Sequence, residues 1–161
     1  MGGGRFESTQ EKDEMLRFEK LYIGGRWVDP AAADLIEVVN AASEQVMGVV
    51  PAGTPADVDA AVAAAAAAFD GWAALPPADR AAFVQAIADG IAKRQDEIAE
   101  IICGEVGMPI FLSKRIQAGL PQTIASSYPR IVADFAWEEE VGSSLVIQEP
   151  MGVVAAITPW N

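Results

Sequence analysis

The sequence predicts an α/β fold in which a short β-meander and several helices lead into the first strand of an incomplete sheet. Three observations carry that prediction. Gly24-Gly25 stands between strand formers in "LYIGGRWVDP" (Leu21–Pro30), the pattern of a tight hairpin. "TPADVDAAVAAAAAAFDGW" (Thr54–Trp72) and the stretch after Pro77 repeat apolar residues at steps of three or four, the period of a helix with one buried face. "GVVAAITPWN" (Gly152–Asn161) opens on an apolar run without polar alternation, which belongs in a strand covered on both faces. No neighbouring strands follow it, so the sequence reads as a piece of a longer protein.

In chain order, residues 1–19 are Gly-rich and then charged, the composition of a disordered arm. The Gly24-Gly25 hairpin follows, then strands at Leu35–Val39 and near Met47–Val50 with a polar turn between them. The first helix takes Thr54 as N-cap, Pro55 at its first position and Asp57 in its first turn. Val58, Val62, Ala65, Phe69 and Trp72 form its apolar face, and Gly71 with Pro76-Pro77 ends it. The second starts near Pro77 and carries Phe83, Ile87 and Ile91 at steps of four. The next points Ile98, Ile101 and Ile102 inward and stops at Gly107 and Pro109. The region from Phe111 to about Trp137 contains Gly119, Pro121 and Pro129, so it is expected in at least two pieces. Leu145 and Ile147 then share one face of a strand that Pro150 ends, and Val153–Ile157 forms the last strand.

Composition removes several function classes. The net charge of −12, from 23 acidic and 11 basic residues, repels nucleic acid and anionic lipid surfaces. The longest unbroken apolar run, Ala60–Phe69, is mostly methyl groups and far short of the roughly 18 residues a membrane helix needs. There is no histidine, so the commonest general base and metal ligand are missing together, and no metal is expected. One cysteine, Cys103, forms no internal disulfide and fits a reducing cytoplasm. The N-terminus lacks the apolar core of a secretory signal. Phe6 stands where a myristoylation motif wants Ser or Thr. The expected location is cytoplasmic.

From about Leu21 to Asn161 the chain resembles the N-terminal third of the NAD(P)-dependent aldehyde dehydrogenase superfamily. The resemblance rests on "YIGGRWV", "ADVDAAVAAAAAAFDGW", "ADRAAFVQAIADGIAKRQDEIA", "EVGMP" and above all "QEPMGVVAAITPWN", in that order. It implies oxidation of an aldehyde to a carboxylic acid with NAD or NADP. In the family a cysteine thiolate attacks the aldehyde, hydride passes to the nicotinamide, and a glutamate activates the water that releases the acid. Asn161 matches the asparagine that donates a side-chain N–H to the oxyanion. Ile157, Thr158, Pro159 and Trp160 match backbone that lines the cofactor. The implied organisation is an arm over 1–19, strands and helices of the cofactor-binding domain over 20–136, an oligomerisation-flap strand over 137–150, and the first strand of a Rossmann-like sheet over 151–161. The implied partners are an aldehyde substrate and further copies of the chain in a homo-oligomer.

The departures are specific. The family's catalytic cysteine, general-base glutamate and glycine-rich cofactor turn all lie beyond Asn161. Cys103 does not replace the first: it follows Ile101-Ile102 in a helix, too far from Lys93 and Arg94 for activation, and reads as a small buried hydrophobe. Ala41 stands where the family often has proline, which predicts a looser turn over Asn40–Gln45. Glu138–Glu140 reads as a solvated loop, and Glu105 as a helix-end carboxylate. Gly2–Gly4 and Ile23–Gly25 lack the lysine and helix start of a phosphate loop. The chain by itself is therefore expected to be inactive. The alternative expectation is a truncated, non-catalytic partner that pairs with full-length subunits through exposed strands. The particular aldehyde, and the choice between NAD and NADP, reside beyond Asn161.

Overall fold

A computed structural model describes residues 15–158. Three small sheets and a set of packed helices make up the fold. Leu21–Ile23 (β2) and Arg26–Val28 (β3) form an antiparallel hairpin with Leu21 opposite Val28 and Ile23 opposite Arg26. Gly24 and Gly25 have φ of 58° and 77°, the mirror-image turn that only glycine enters without strain and that matches strand twist. Tyr22 meets Trp27 edge-on across it, ring centroids 5.2 Å apart.

The hairpin does not continue into one meander. Leu35–Val39 (β4) pairs antiparallel with Val46–Pro51 (β5) in a separate sheet. Pro30 has no N–H to give a ladder, and the Ala31 N–H donates to Asp57 Oδ1 at 2.9 Å; the chain leaves the hairpin there. On the other side of β5, Leu16–Arg17 (β1) pairs in parallel, Leu16 opposite Gly48 and Arg17 opposite Val49. The expected disordered arm therefore does not extend to residue 19. Phe18 N–H also donates to Val49 O at 3.0 Å. The part of that expectation on residues 1–14 lies outside the described residues.

The first helix, Pro55–Ala73 (α1), starts as the sequence predicts. Thr54 caps it and Asp57 closes a capping box. Asp57 Oδ2 accepts from Thr54 N and the Thr54 hydroxyl, each at 2.8 Å, and Thr54 Oγ1 accepts from Asp57 N at 3.4 Å, so two backbone N–H groups that would otherwise lack partners at a helix start are paired. Replacing Thr54 by alanine is expected to cost about 1 kcal/mol, read as a lower urea midpoint. Gly71 does not end the helix, since one glycine weakens a helix without breaking it. The helix ends two residues later, where Ala74 N–H returns to Asp70 O at 3.0 Å.

Pro77–Lys93 (α2) and Gln95–Val106 (α3) follow. After Pro109 the chain is helical without a break: Ile110–Leu112 (α4), a π turn over Ser113–Ala118, and Gly119–Asp134 (α5). The expected division at Gly119, Pro121 and Pro129 does not occur. Pro121 lies in the first turn of α5, where the π turn has already changed the hydrogen-bond register, and Pro129 sits inside the helix. Thr123, Ser126 and Ser127 hydroxyls donate to Gly119, Thr123 and Ile124 carbonyls at 3.0, 2.9 and 2.7 Å. Packing of α5 along α2 outweighs the one bond that Pro129 removes.

That packing uses small residues. Ala81 and Ala88 of α2 are buried, as are Ala99 of α3 and Ser113 and Ala118 of the π turn. Methyl-sized side chains let helix backbones approach closely. The larger residues expected to face inward do not: Phe83, Ile87, Val58 and Val62 stay exposed, with Phe83 resting beside Trp72, ring centroids 5.5 Å apart.

The Asn40–Gln45 turn is pinned rather than loose. Asn40 Oδ1 accepts from Ala42 N and Ser43 N at 2.9 and 3.0 Å, and Ala41 N–H donates to Gly104 O in the last turn of α3 at 3.0 Å. A proline at 41 could not make that second contact. Gly107 then ends α3 in the left-handed conformation, φ 72°, as Gly107-Pro109 predicts.

One expectation near the C-terminal end is corrected. Glu138–Val141 (β6) is a strand, not a solvated loop, because Ser144–Ile147 (β7) pairs with it across Gly142-Ser143. Residues 151–158 have no ladder partner among the described residues, and the other strands of the Rossmann-like sheet they are expected to begin are not among those residues. A strand exists only as part of a ladder.

Candidate functional site

The predicted site residues fall in the last stretch. Ile157 is 94% exposed and Thr158 is exposed. Pro159, Trp160 and Asn161, the proposed oxyanion donor among them, lie outside the described residues. Leading to them, Gly152 has φ 105° and Val154 is 76% exposed. The run from Val153 to Ile157 is an apolar segment without a cover. Among the described residues it brings Ile157 and Thr158 to no other chemical group.

Elsewhere, Cys103 is half-buried in α3, less enclosed than expected. Among the concavities of the described residues, two differ sharply in character. A polar one of about 260 Å³ lies between the Asn40–Gln45 turn and α3, lined by Asn40, Ser43, Gln45, Met47, Glu100 and Gly104. An apolar groove of about 590 Å³ runs between α2 and α5, lined by Pro77, Ala81, Gln85, Pro129, Val132 and Trp137. Neither sets a nucleophile beside a base. Among the described residues no three His, Cys, Asp or Glu side chains gather as metal ligands.

The clearest electrostatic feature is structural. Hydrogen bonds from the Thr54 backbone, the Thr54 hydroxyl and the Ala31 backbone hold the Asp57 carboxyl below its ordinary range. An unfolded aspartate titrates near about 3.9. With the folded value lower, Asp57 stabilises the fold fully above that pH, and the contribution disappears as pH falls through the depressed value. Helicity followed during acid titration should be lost less steeply in Asp57→Asn than in the unchanged chain.

Arg80 is a second feature that spacing did not reveal. It lies on α2 with its guanidinium 5.4 Å from the Trp137 ring centre, and its Nη1 donates to the carbonyls of Ala73, at 3.3 Å, and Leu75. The only sequence signal was an arginine following Pro76-Pro77 by a helical turn, too common a pattern to mark a contact with residue 137.

Comparison with known proteins supplies what the geometry of these residues does not. The aldehyde dehydrogenase family model matches residues 27–161. The chain is 37% identical over 150 residues to a 3-succinoylsemialdehyde-pyridine dehydrogenase of a Pseudomonas species, covering 91% of this chain and 31% of that protein. In structure it is similar to a Mycobacterium tuberculosis aldehyde dehydrogenase complexed with NAD+, with TM-score 0.79, 35% identity, and coverage of 84% of this chain and 29% of the other. It is also similar to a Pseudomonas syringae aldehyde dehydrogenase variant complexed with NAD+ and octanal, with TM-score 0.80, 35% identity, and coverage of 83% and 27%. The chain thus spans about a third of the length of the relatives it matches, and its strands and helices are the N-terminal segment of their fold. By sequence and by architecture, the chain belongs to the aldehyde dehydrogenase family.

Proposed function

We propose that this chain forms part of an oxidoreductase that converts an aldehyde to a carboxylic acid with NAD or NADP. The match of the family model up to "TPWN" carries this reading. The cofactor, when bound, accepts hydride from the substrate carbon. The residues at hand fit one wall of its site. Ile157 offers an uncovered apolar side chain and the exposed Thr158 a hydroxyl, suited to the face and edge of a flat heterocycle. Asn161 would donate its side-chain N–H to the oxygen that gains negative charge, and such a donor acts most strongly in the transition state.

In this reading the chain alone does not turn over. A donor to the oxyanion has nothing to stabilise without a nucleophile, and Cys103 stands in α3, within a different element from the Asn161 segment. The purified chain, given octanal with NAD+ or NADP+, should yield no reduced nicotinamide by absorbance. Turnover above the blank would overturn the claim of inactivity.

One observation favours a second role, association with further subunits of the same family. Leu145 and Ile147 of the β6–β7 hairpin and Phe83 and Ile87 of α2 are exposed apolar side chains, the kind of surface that another chain covers. Sedimentation of the chain over a range of concentrations should show self-association; a strictly monomeric profile counts against this role.

A further inference from the structure

The hairpin β6–β7 is attached to the rest of the molecule at its root and almost nowhere else. Its strands pack chiefly on each other, and all eight of their residues are exposed. Its bearing relative to the helices is therefore decided by what holds residues 135–137 and 148. Trp137 is the centre of that root. Its carbonyl accepts from Gln148 N–H at 2.9 Å, which closes the base of the hairpin. Its indole Nε1–H donates to Val132 O in α5 at 3.2 Å, and Phe135 meets its ring edge-on at 4.8 Å. Over the ring lies Arg80, from a different helix, whose Nη1 also binds the Ala73 and Leu75 carbonyls at the end of α1.

We infer that Arg80 is a positioning residue: it latches Trp137 to the α1–α2 corner and so fixes the direction in which β6–β7 projects. One planar cation satisfies all three attachments at once, because guanidinium donates in its plane and stacks through its face. A lysine ammonium can reach the carbonyls but has no face to lay on the indole.

What the latch aims is one edge of the hairpin. Gln148 to Trp137 is a bonded pair, and bonded pairs alternate in an antiparallel ladder. Val146 and Ser144 therefore face β6, while the N–H and C=O of Leu145 and Ile147 point outward from β7. The opposite edge, at Glu138 and Glu140, is guarded by carboxylates, a common device against strand addition. Among the described residues the unguarded edge of this hairpin is that of β7, with a bearing set by Arg80. Its use in self-association rests on the subunit role proposed above; the latch itself does not.

The test is made inside one chain. In a Cys103→Ala background, spin labels at Ser143 on the hairpin tip and Asp89 on α2 report the hairpin's bearing by pulsed dipolar spectroscopy. Labels at Asp89 and Arg130 report α2 against α5. Labelled chain is diluted with unlabelled chain so that only intramolecular distances count. Arg80→Met should move about threefold more of the Ser143–Asp89 distribution outside its native range, the factor expected for losing one exposed cation–π contact. The Asp89–Arg130 distances should stay unchanged, and Arg80→Lys should recover part of the width. A loss of structure would broaden both pairs; in that event Trp137→Leu, which keeps Arg80 on its carbonyls, provides the same comparison. An unchanged Ser143–Asp89 distribution in a variant with intact Asp89–Arg130 distances overturns the latch. A monomeric profile in sedimentation would remove the proposed subunit role and leave this result standing.

Discussion

Replacing Asn161 by alanine is expected to lower kcat about 100- to 1000-fold in an aldehyde-oxidising protein that carries this chain. The side-chain N–H serves charge that exists only as the aldehyde carbon becomes tetrahedral. Its loss should therefore reduce kcat and kcat/KM together and leave KM nearly unchanged. Asn161→Asp keeps the shape and removes the donor, and it sets a carboxylate against the forming oxyanion, so it should do at least as much damage. Steady-state kinetics of the two variants decide the matter. A kcat equal to that of the unchanged protein would remove Asn161 from the chemistry and leave it a turn residue.

The largest effect on stability is expected at Gly107. Valine there would have to adopt φ near 72°, a conformation that costs an L-residue about 1–2 kcal/mol before branching is counted. Its Cβ would stand 3.4 Å from the Ala41 Cβ, the near limit of ordinary contact, and the branched methyls beyond it would crowd the bond from Ala41 N–H to Gly104 O. Together these should destabilise the fold by about 2–3 kcal/mol. Gly107→Asn, which tolerates the left-handed region, should cost well under that. The comparison is made by urea unfolding, with amide exchange at Ala41 as the local readout. A valine variant as stable as the unchanged chain, with Ala41 still protected, would show that the turn does not depend on this cap.

Where the sequence was legible, a short-range rule was enough. Thr54, Pro55 and Asp57 start a helix because they satisfy its first N–H groups; Gly107 ends one because it needs no Cβ; Gly24-Gly25 turns a hairpin because both positions want positive φ. Where it was not, distant contacts decided. Glutamates are poor strand formers, and Glu138–Glu140 becomes a strand only because Ser144–Ile147 lies beside it. Leu16-Arg17 has no strand signal without β5 as its neighbour. Pro129 suggests a break until α5 is seen lying along α2. The apolar periodicity of α2 named a face correctly as apolar and wrongly as buried, since alanines on another side took the contact with α5. The candidate site was legible as a motif, Ile157 to Asn161. It was not legible as geometry, because the described residues supply the motif with no neighbours.

The π turn over Ser113–Ala118 bears on which changes of length this chain can absorb. Such a turn holds one residue more than an α-helix needs to cover the same rise. Deleting one residue there returns the segment to ordinary α register and leaves α5 pointing as before. The same deletion in the middle of α2 would rotate every later side chain by about 100° around the helix axis and carry Ala88 away from α5. A single-residue deletion is thus tolerated at one place in this helical stretch and punished at its neighbours. Gln95, whose Nε2 donates to Lys114 O at 3.0 Å, marks where the spare residue is held.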